Sequence, residues 1–161
     1  MKRPEIAFRP LQQSEIAQAA RLWHSGWIDG HAAFAPPELA RLRTFESFTA
    51  RLTRDLAHAR AAVLDGGLIG FTILKGNDVD QFYVAAQARG TGAAMALMAD
   101  AEAQLRAAGH ASAWLACSVG NTRAARFYEK AGWHLAATEP MSFETTEGPF
   151  TLETWRYEKA L

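Results

Sequence analysis

The sequence contains a single cysteine, no excess of charge of either sign and no long apolar run. The lone Cys117 excludes an intrachain disulfide and a multi-cysteine zinc site, which is typical of proteins in a reducing compartment. Lys plus Arg and Asp plus Glu number 17 each, so the chain lacks the strongly basic surface on which many nucleic-acid binders depend. No apolar run reaches the roughly 20 residues that span a membrane. We therefore expect a cytoplasmic protein with neither a nucleic-acid nor a membrane partner.

What the sequence does contain is enough apolar material for one globular unit. Its 161 residues are 49% hydrophobic and 21% charged, which suffices to bury a substantial core. Repeats and low-complexity linkers do not interrupt it, and its start, MKRPEIAFRP, turns polar too early for the core of a signal peptide. We predict one domain over residues 1–161.

Hydrophobic spacing predicts a strand and three helices in the first third of the chain. IAFRPL (6–11) is typical of a short strand, and Ser14 is a candidate N-cap for a helix. A second, short helix is expected from Pro36 to Leu42, and Thr44 is a candidate cap for a third. The inward face of the first helix is expected to carry Ile16, Ala19, Ala20, Trp23 and Trp27.

The rest of the chain predicts strands that alternate with two helical patterns. AAVLD, Gly66-Gly67 and LIGFTILK together predict a hairpin, because the turn residues supply the positive φ values of a tight turn. Further strands are expected at NDVDQFYVAA, at 112–119, from Trp133 and at 151–158. A helix that ends at Gly109 precedes the strand at 112–119, and a helix capped by Asn121 follows it. This order predicts a mixed α/β sandwich with a crossover helix on each side of that strand.

The segment QARGTG (87–92) lies between a strand pattern and a helix pattern, where its two glycines permit a tight turn. The unpaired N–H groups and the dipole of a helix start favour a phosphate there. A dinucleotide-binding motif is excluded because Met95 stands at its third glycine and no acidic residue occurs from His110 to Ser118. A P-loop is excluded because no Gly-Lys-Ser/Thr follows. The phosphate must belong to another kind of ligand.

Two motifs with one strand between them resemble those of the GNAT superfamily of acyl-CoA N-acyltransferases. QARGTG matches that family's Q/R-x-x-G-x-G/A pyrophosphate loop. NTRAARFYEKAGW (121–133) matches its N-x-x-A-x-x-F-Y-x-x-x-G-W signature, and the resemblance is strong over residues 78–135. It implies a single-domain α/β (α+β) fold in which a mixed, mostly antiparallel sheet is flanked by helices on both faces. It also implies acetyl-CoA as the acyl donor and no metal.

The resemblance further implies that two segments hold the donor. N–H groups of the loop would surround the pyrophosphate, and the strand at 82–84 would splay at a bulge so that its last N–H reaches the thioester oxygen. Either Arg123 or Arg126 would reach the ribose phosphate. The alternatives are a plain strand–turn–helix, ordinary sheet pairing and, at Asn121, a simple helix cap. The donor-binding residues expected on this basis are Phe82, Tyr83, Val84, Gln87, Arg89, Gly90, Thr91, Gly92, Ala93, Ala94, Asn121 and Arg126.

Transfer of an acyl group from a thioester to an amine needs an acid for the leaving thiolate and a base for the amine. The resemblance assigns the acid to Tyr128, for which packing on an amphipathic helix is the alternative. Strand alternation places Asp80 on the face of Phe82 and Val84, so we favour Asp80 among the candidate bases, and a solvent-facing strand carboxylate is the alternative with more support. The candidate bases, acting directly or through water, are Asp78, Asp80, Gln81 and His31.

Acceptor binding is expected in two aromatic-rich segments, WHSGWIDGHAAFAPPEL and EPMSFETTEGPFTLETW. Trp27 and His31 are the candidate acceptor-binding residues, although core packing also explains the tryptophan. Glu139, Glu144 and Glu147 are expected to form an acidic loop, which would attract a cationic amine or simply be solvated. No two histidines have metal-ligand spacing.

The function that these patterns predict is acetyl-CoA-dependent N-acetyltransfer, directly from the thioester to a primary amine of a small molecule. One alternative replaces the acceptor with a protein N-terminus or lysine, for which an open groove would be expected in place of a closed pocket. Another alternative is a non-catalytic acyl-CoA-binding module. Relatives often form homodimers, and the aromatic-rich flanks are compatible with one.

Overall fold

The computed structural model describes residues 5–161; residues 1–4, the start of the segment read as too polar for a signal peptide, lie outside it. The helices are α1 Ile16–Gly30, α2 Pro37–Leu42, α3 Phe45–Arg54, α4 Ala93–Ala107 and α5 Thr122–Lys130. The strands are β1 Ala7–Pro10, β2 Ala59–Leu64, β3 Gly67–Lys75, β4 Asp78–Val84, β5 Ser112–Ser118, β6 His134–Thr145 and β7 Gly148–Ala160. Short 3₁₀ turns lie at Gln13–Glu15, Leu56–His58 and Ala86–Ala88.

The strands form one sheet in the order β1-β2-β3-β4-β5-β7-β6. Every neighbouring pair is antiparallel except β4 and β5, which α4 connects by a crossover. Two hydrophobic clusters hold the helices to the sheet: α1, α2 and α3 contribute to one, and α4 and α5 to the other. The predicted mixed, mostly antiparallel architecture is confirmed. None of the helices within residues 5–161 has both the length and the apolar character needed to cross a membrane.

Several local predictions are confirmed by the structure. The hairpin between β2 and β3 turns at Asp65 and Gly66, whose φ values of 50° and 78° are those of a tight hairpin turn. Thr44 caps α3, because its hydroxyl accepts from the Ser47 N–H at 3.1 Å. The predicted inward face of α1 is buried throughout.

The predicted start of α1 is wrong. Ser14 lies inside the 3₁₀ turn that precedes the helix and makes no capping bond. Instead Glu15 reaches back to accept from the Gln12 N–H at 3.0 Å, and Arg9 holds the same carboxylate at 2.7 and 2.9 Å. An ion pair from β1 thus decides where this chain turns into the helix.

The predicted acidic loop is also wrong, because most of it belongs to a long hairpin formed by β6 and β7. Glu139 and Glu144 lie within β6, and Glu147 lies in the turn. Glu144 pairs with Arg54, and Glu147 pairs with Arg41 at 3.0 Å. These two ion pairs attach the β6–β7 hairpin to α2 and α3, and the sequence alone did not predict them.

Candidate active site

A cavity of about 510 Å³ opens between the ends of β4 and β5. Its walls come from α1, the segment up to α2, the start of α4, α5 and the β6–β7 hairpin. Many residues that the sequence proposed as donor, acceptor or catalytic residues share this wall: Trp27, His31, Asp80, Phe82, Tyr83, Val84, Arg89, Gly90, Gly92, Ala94, Asn121 and Tyr128. Five others are not part of it: Asp78, Gln87, Thr91, Ala93 and Arg126. Arg123, one turn before Arg126 on α5, takes the place beside the cavity.

The gap in the sheet arises because β4 and β5 pair at one position only, Asp78 with Trp114. Beyond that point the strands diverge. On its other edge β4 stays paired to β3, and the Ala85 N–H donates to the Ile69 carbonyl at 2.7 Å. Bonding alternates along an antiparallel pair, so the N–H groups of Phe82 and Val84 point away from β3 and into the gap. The backbone thus presents donors where the sheet is open.

The loop before α4 presents a second set of backbone donors. Gly90 and Gly92 have φ values of 76° and 86°, in the left-handed region that favours glycine. The Arg89 N–H is used within the turn, donating to the Ala86 carbonyl at 3.1 Å. The N–H groups that find no partner within residues 5–161 are those of Gly90, Gly92, Ala94 and Met95. These orphan donors at a helix start suit an anion.

Two predicted donor-binding side chains already have protein partners. The Arg89 guanidinium lies 3.2 Å from the Asp29 carboxylate, near the end of α1. Asn121 caps α5 by accepting from the Ala124 N–H at 3.2 Å, and its amide nitrogen donates to the Gly30 carbonyl at 2.8 Å. Asn121 therefore joins the end of α1 to the start of α5, which is a structural role sufficient to explain it.

Tyr128 lies on α5 with its ring packed against Phe127 and Tyr157, at centroid distances of 5.6 and 5.7 Å. Burial raises the pKa of Tyr128 well above its ordinary value. Its hydroxyl makes no hydrogen bond within the part of the chain that the structure describes. It is consequently a protonated donor with a free hydrogen, beside the gap in the sheet.

Asp80 is the extra residue of a β-bulge in β4, since Gln81 pairs with Ile73 and Val79 pairs with Leu74. The bulge interrupts the alternation from which we predicted that Asp80 shares a face with Phe82 and Val84. The Asp80 carboxylate lies 3.9 Å from the Lys75 ammonium, whereas Phe82 stacks on Phe127.

The other candidate bases are less well placed or less free. Burial and repulsion by Asp80 raise the pKa of Asp78 to about 7, but Asp78 does not line the cavity. His31 does line it, and its Nδ1 lies 2.5 Å from the Ser118 hydroxyl. Burial, with a contribution from Arg43, lowers the pKa of His31 to about 4, so its ring is neutral at pH 7. Trp27 beside it is a core residue that also lines the cavity.

Sequence reasoning missed cationic residues of the site, among them Arg43 and Arg51, which line the cavity beside α2 and α3. Arg43 follows α2 and is only 7% exposed, and Arg51 lies on α3. Arginine at the end or on the face of a short helix is usually solvated, so no local signal distinguished them. Their position depends on how α2 and α3 fold back over the sheet.

Comparison with known proteins extends these observations. The chain is 34% identical to an N-acetyltransferase of Mycobacterium tuberculosis, itself uncharacterized, over 115 residues that make up 66% of this chain and 74% of the relative. Its fold is similar to that of a GCN5-related N-acetyltransferase from Rhodopseudomonas palustris, with TM-score 0.75, 23% identity and coverage of 100% and 98% of the two chains. It is also similar to the PaiA N-acetyltransferase of Thermoplasma acidophilum in complex with coenzyme A, with TM-score 0.75, 17% identity and coverage of 98% and 99%.

The model of the acetyltransferase (GNAT) family matches residues 19–133, which include the glycine loop, the open sheet edge and Tyr128. The sequence motifs, the strand order and the relatives agree with that match. The chain belongs to the acetyltransferase (GNAT) family.

Proposed function

We propose that this acetyltransferase uses acetyl-CoA and transfers the acetyl group directly to a primary amine of a small molecule. The observation that carries the proposal is a single cavity that joins three features. These are the unpartnered amides before α4, the backbone donors in the gap between β4 and β5, and the free hydroxyl of Tyr128. Together they match the three parts of the donor: its diphosphate, its thioester carbonyl and its sulfur.

The residues present fit coenzyme A through its diphosphate and its pantetheine arm. The free N–H groups of Gly90, Gly92, Ala94 and Met95 would bind the diphosphate, with the α4 dipole behind them. Arg123 would reach the ribose phosphate. The thioester of the bound donor supplies the activated acetyl group. The N–H of Val84 or Phe82 would stabilise negative charge on its carbonyl oxygen, an effect typically worth about 3 kcal/mol of the barrier.

Two side chains would handle the protons. An amine of ordinary pKa arrives protonated and must lose a proton before it attacks. Asp80 would accept this proton, because it is the carboxylate of β4 that lines the cavity. Tyr128 would donate its hydrogen bond to the departing sulfur. Its raised pKa makes complete proton transfer to a thiolate uphill, so stabilisation by the hydrogen bond is its main contribution.

Direct transfer is favoured over an acetylated cysteine because Cys117, the single cysteine of the sequence, is not activated. Cys117 is buried in β5, and burial raises the pKa of its thiol to about 12. A thiol in that state is almost entirely protonated at neutral pH and is a poor acyl carrier.

A small acceptor is favoured over a protein chain because elements from distant parts of the chain border this end of the cavity. Phe143 and Leu152 of the β6–β7 hairpin line it together with residues between α1 and α2. The Arg43 guanidinium donates to the Glu144 carbonyl at 2.7 Å, and Arg41 pairs with Glu147. These contacts attach the hairpin to α2 and to the residue that follows it beside the cavity, whereas an extended peptide would need an open groove.

The proposal is tested by measuring thiol release from acetyl-CoA with amines, amino acids, polyamines, aminoglycosides and peptides as acceptors. We expect turnover with at least one small primary amine and none with protein substrates. Tight binding of coenzyme A without turnover on any amine would contradict the enzymatic function and indicate a binding module. Turnover confined to peptides would contradict the small acceptor.

A further inference from the structure

Two arginines at the acceptor end of the cavity have charges that the proposed acyl transfer does not use. Arg43 and Arg51 both line the cavity, and they also line a second cavity of about 200 Å³ on their far side. Arg43 is 7% exposed, and the Nε of Arg51 is fully buried. Both side chains therefore lie between the two cavities and not on a freely solvated surface.

Neither guanidinium has a carboxylate partner within residues 5–161. Arg43 donates to one backbone carbonyl, that of Glu144. Arg51 makes no hydrogen bond in the described structure, and its guanidinium lies over the Trp23 ring at 4.6 Å from the centroid. A buried guanidinium without a hydrogen-bonded anion is costly, because hydration is lost and nothing replaces it.

The nearby carboxylates are already engaged by other cations. Asp55 lies 2.7 Å from Arg54 and 2.9 Å from Lys75, and Glu144 also pairs with Arg54. Asp80 has Lys75 at 3.9 Å. None of these three carboxylates is paired with Arg43 or Arg51.

The pKa values of the two arginines agree with their burial. Burial and the charge of Arg51 lower the pKa of Arg43 to about 10, and burial lowers that of Arg51. Both remain charged at neutral pH, so this part of the cavity holds two cations to which no described carboxylate is hydrogen-bonded.

We propose that the acceptor is an amine that also carries a carboxylate, as an amino acid does, and that Arg43 and Arg51 bind this carboxylate. The inference rests on the proposed acyl transfer and names the substrate class for it. A carboxylate on the acceptor would supply the anion that neither guanidinium has, and its planar oxygens suit the fork of a guanidinium. In the reaction the amine nitrogen forms a bond to the acetyl carbon and the carbon–sulfur bond breaks. The amine loses one proton to the base, and so to solvent, before it attacks and a second proton afterwards; the second proton neutralises the leaving thiolate, and the carboxylate is unchanged.

Matched acceptor pairs test the proposal with the intact protein. Each of the common amino acids is compared with its own carboxamide, which keeps the amine and the side chain but removes the negative charge. We expect at least one acid to be acetylated with a kcat/KM about 10- to 100-fold above that of its amide, mainly through a lower KM. Equal rates for every pair, or no turnover of any carboxylate-bearing amine, would overturn the proposal.

Substitution of Arg51 tests the assignment directly, because Arg51 makes no hydrogen bond in the described structure that its loss would break. Arg51→Met should abolish the preference for the acid, and Arg51→Lys should restore part of it because the charge returns without the fork. Arg21→Met, at an exposed position of α1, should leave the preference unchanged. An unaltered preference in Arg51→Met, with native circular dichroism, would contradict the assignment.

Coenzyme A affinity separates this inference from the function on which it rests. If coenzyme A binds and amines are acetylated without regard to charge, only the carboxylate site is wrong. If coenzyme A does not bind, the acyl-transfer function itself fails. We expect the affinity for coenzyme A to be the same within about 2-fold in Arg51→Met and the unmodified protein, since no donor contact is assigned to Arg51.

Discussion

Tyr128 differs from an ordinary surface tyrosine because burial raises the pKa of its hydroxyl and the described chain leaves that hydroxyl without a partner. A buried polar group usually finds a hydrogen-bond partner within the protein. A donor left free beside a cavity is therefore available to a ligand. His31 shows the opposite case, because the Ser118 hydroxyl occupies its Nδ1 and burial keeps its ring neutral.

Replacement of Tyr128 by phenylalanine tests the role of its hydroxyl. We expect kcat to fall about 100-fold, in the range typical of a lost acid group, while the affinity for acetyl-CoA changes little. Tyr157→Phe is the control, since Tyr157 is buried next to Tyr128 but does not line the cavity. Steady-state rates and calorimetric binding constants would be compared. Full activity in Tyr128→Phe would remove the role.

The neutral state of His31 predicts how stability depends on pH. Its pKa of about 4 in the fold lies below the ordinary value of 6.5, so the unfolded chain binds more protons between these two values. Stability should therefore be lost as the pH falls from about 6.5 to 4, by about 3 kcal/mol from this residue alone. Asp78, whose pKa of about 7 is raised, acts in the opposite direction between its ordinary value and pH 7.

The contribution of His31 is isolated by comparison with His31→Asn. Urea unfolding at pH 7 and at pH 4.5 gives the loss of stability for each protein, and we expect a smaller loss in the variant. An equal loss of stability in both proteins would show that the pKa of His31 is not lowered in the folded state.

At the scale of elements, the start of α4 and the divergence of β4 from β5 create the site together. The loop amides are free because the first N–H groups of a helix have no partner within the helix. The β4 amides are free because β5 diverges from β4 beyond their single paired position. Each element supplies donors that its own hydrogen bonding cannot use. The crossover helix is what brings the two sets to the same cavity.

A negative charge at the start of α4 should separate helix stability from donor binding. Ala94→Glu suits the first turn of a helix, so the free energy of unfolding should stay within about 0.5 kcal/mol or rise. The same carboxylate would repel the diphosphate, and we expect at least about a 10-fold loss of affinity for coenzyme A. Ala99→Glu, at an exposed position later on α4, is the matched control and should bind normally. Normal binding by Ala94→Glu would contradict the assignment of the loop.

Elements set by local chemistry could be predicted from the sequence, and those set by distant partners could not. The Thr44 cap and the turn at Asp65-Gly66 depend on neighbouring residues, and both predictions are confirmed. The Ser14 cap failed because an ion pair between Arg9 and Glu15 decides the helix start. The extent of β6 was missed because its residues are mostly exposed, so its pattern lacks an apolar face.

At the scale of the whole molecule, the same limit divides the site into two halves. The half that we propose for the donor follows from two motifs, and the sequence predicted its glycine loop and the strand that diverges from β5. The half that we propose for the acceptor is assembled from α1, α2, α3 and the β6–β7 hairpin, which are far apart in the chain. Arg43 and Arg51 reach the cavity only when those elements fold together, so no spacing in the sequence predicts their position.

The central claim is that free backbone amides before α4 bind the diphosphate of coenzyme A. Amide NMR of isotope-labelled protein during titration with coenzyme A tests it most directly, because each N–H is observed separately. We predict large, saturable shifts of the Gly90, Gly92, Ala94 and Met95 amides, together with those of Phe82 and Val84. Saturable binding that leaves all of these amides unshifted, or no binding at all, would contradict the claim.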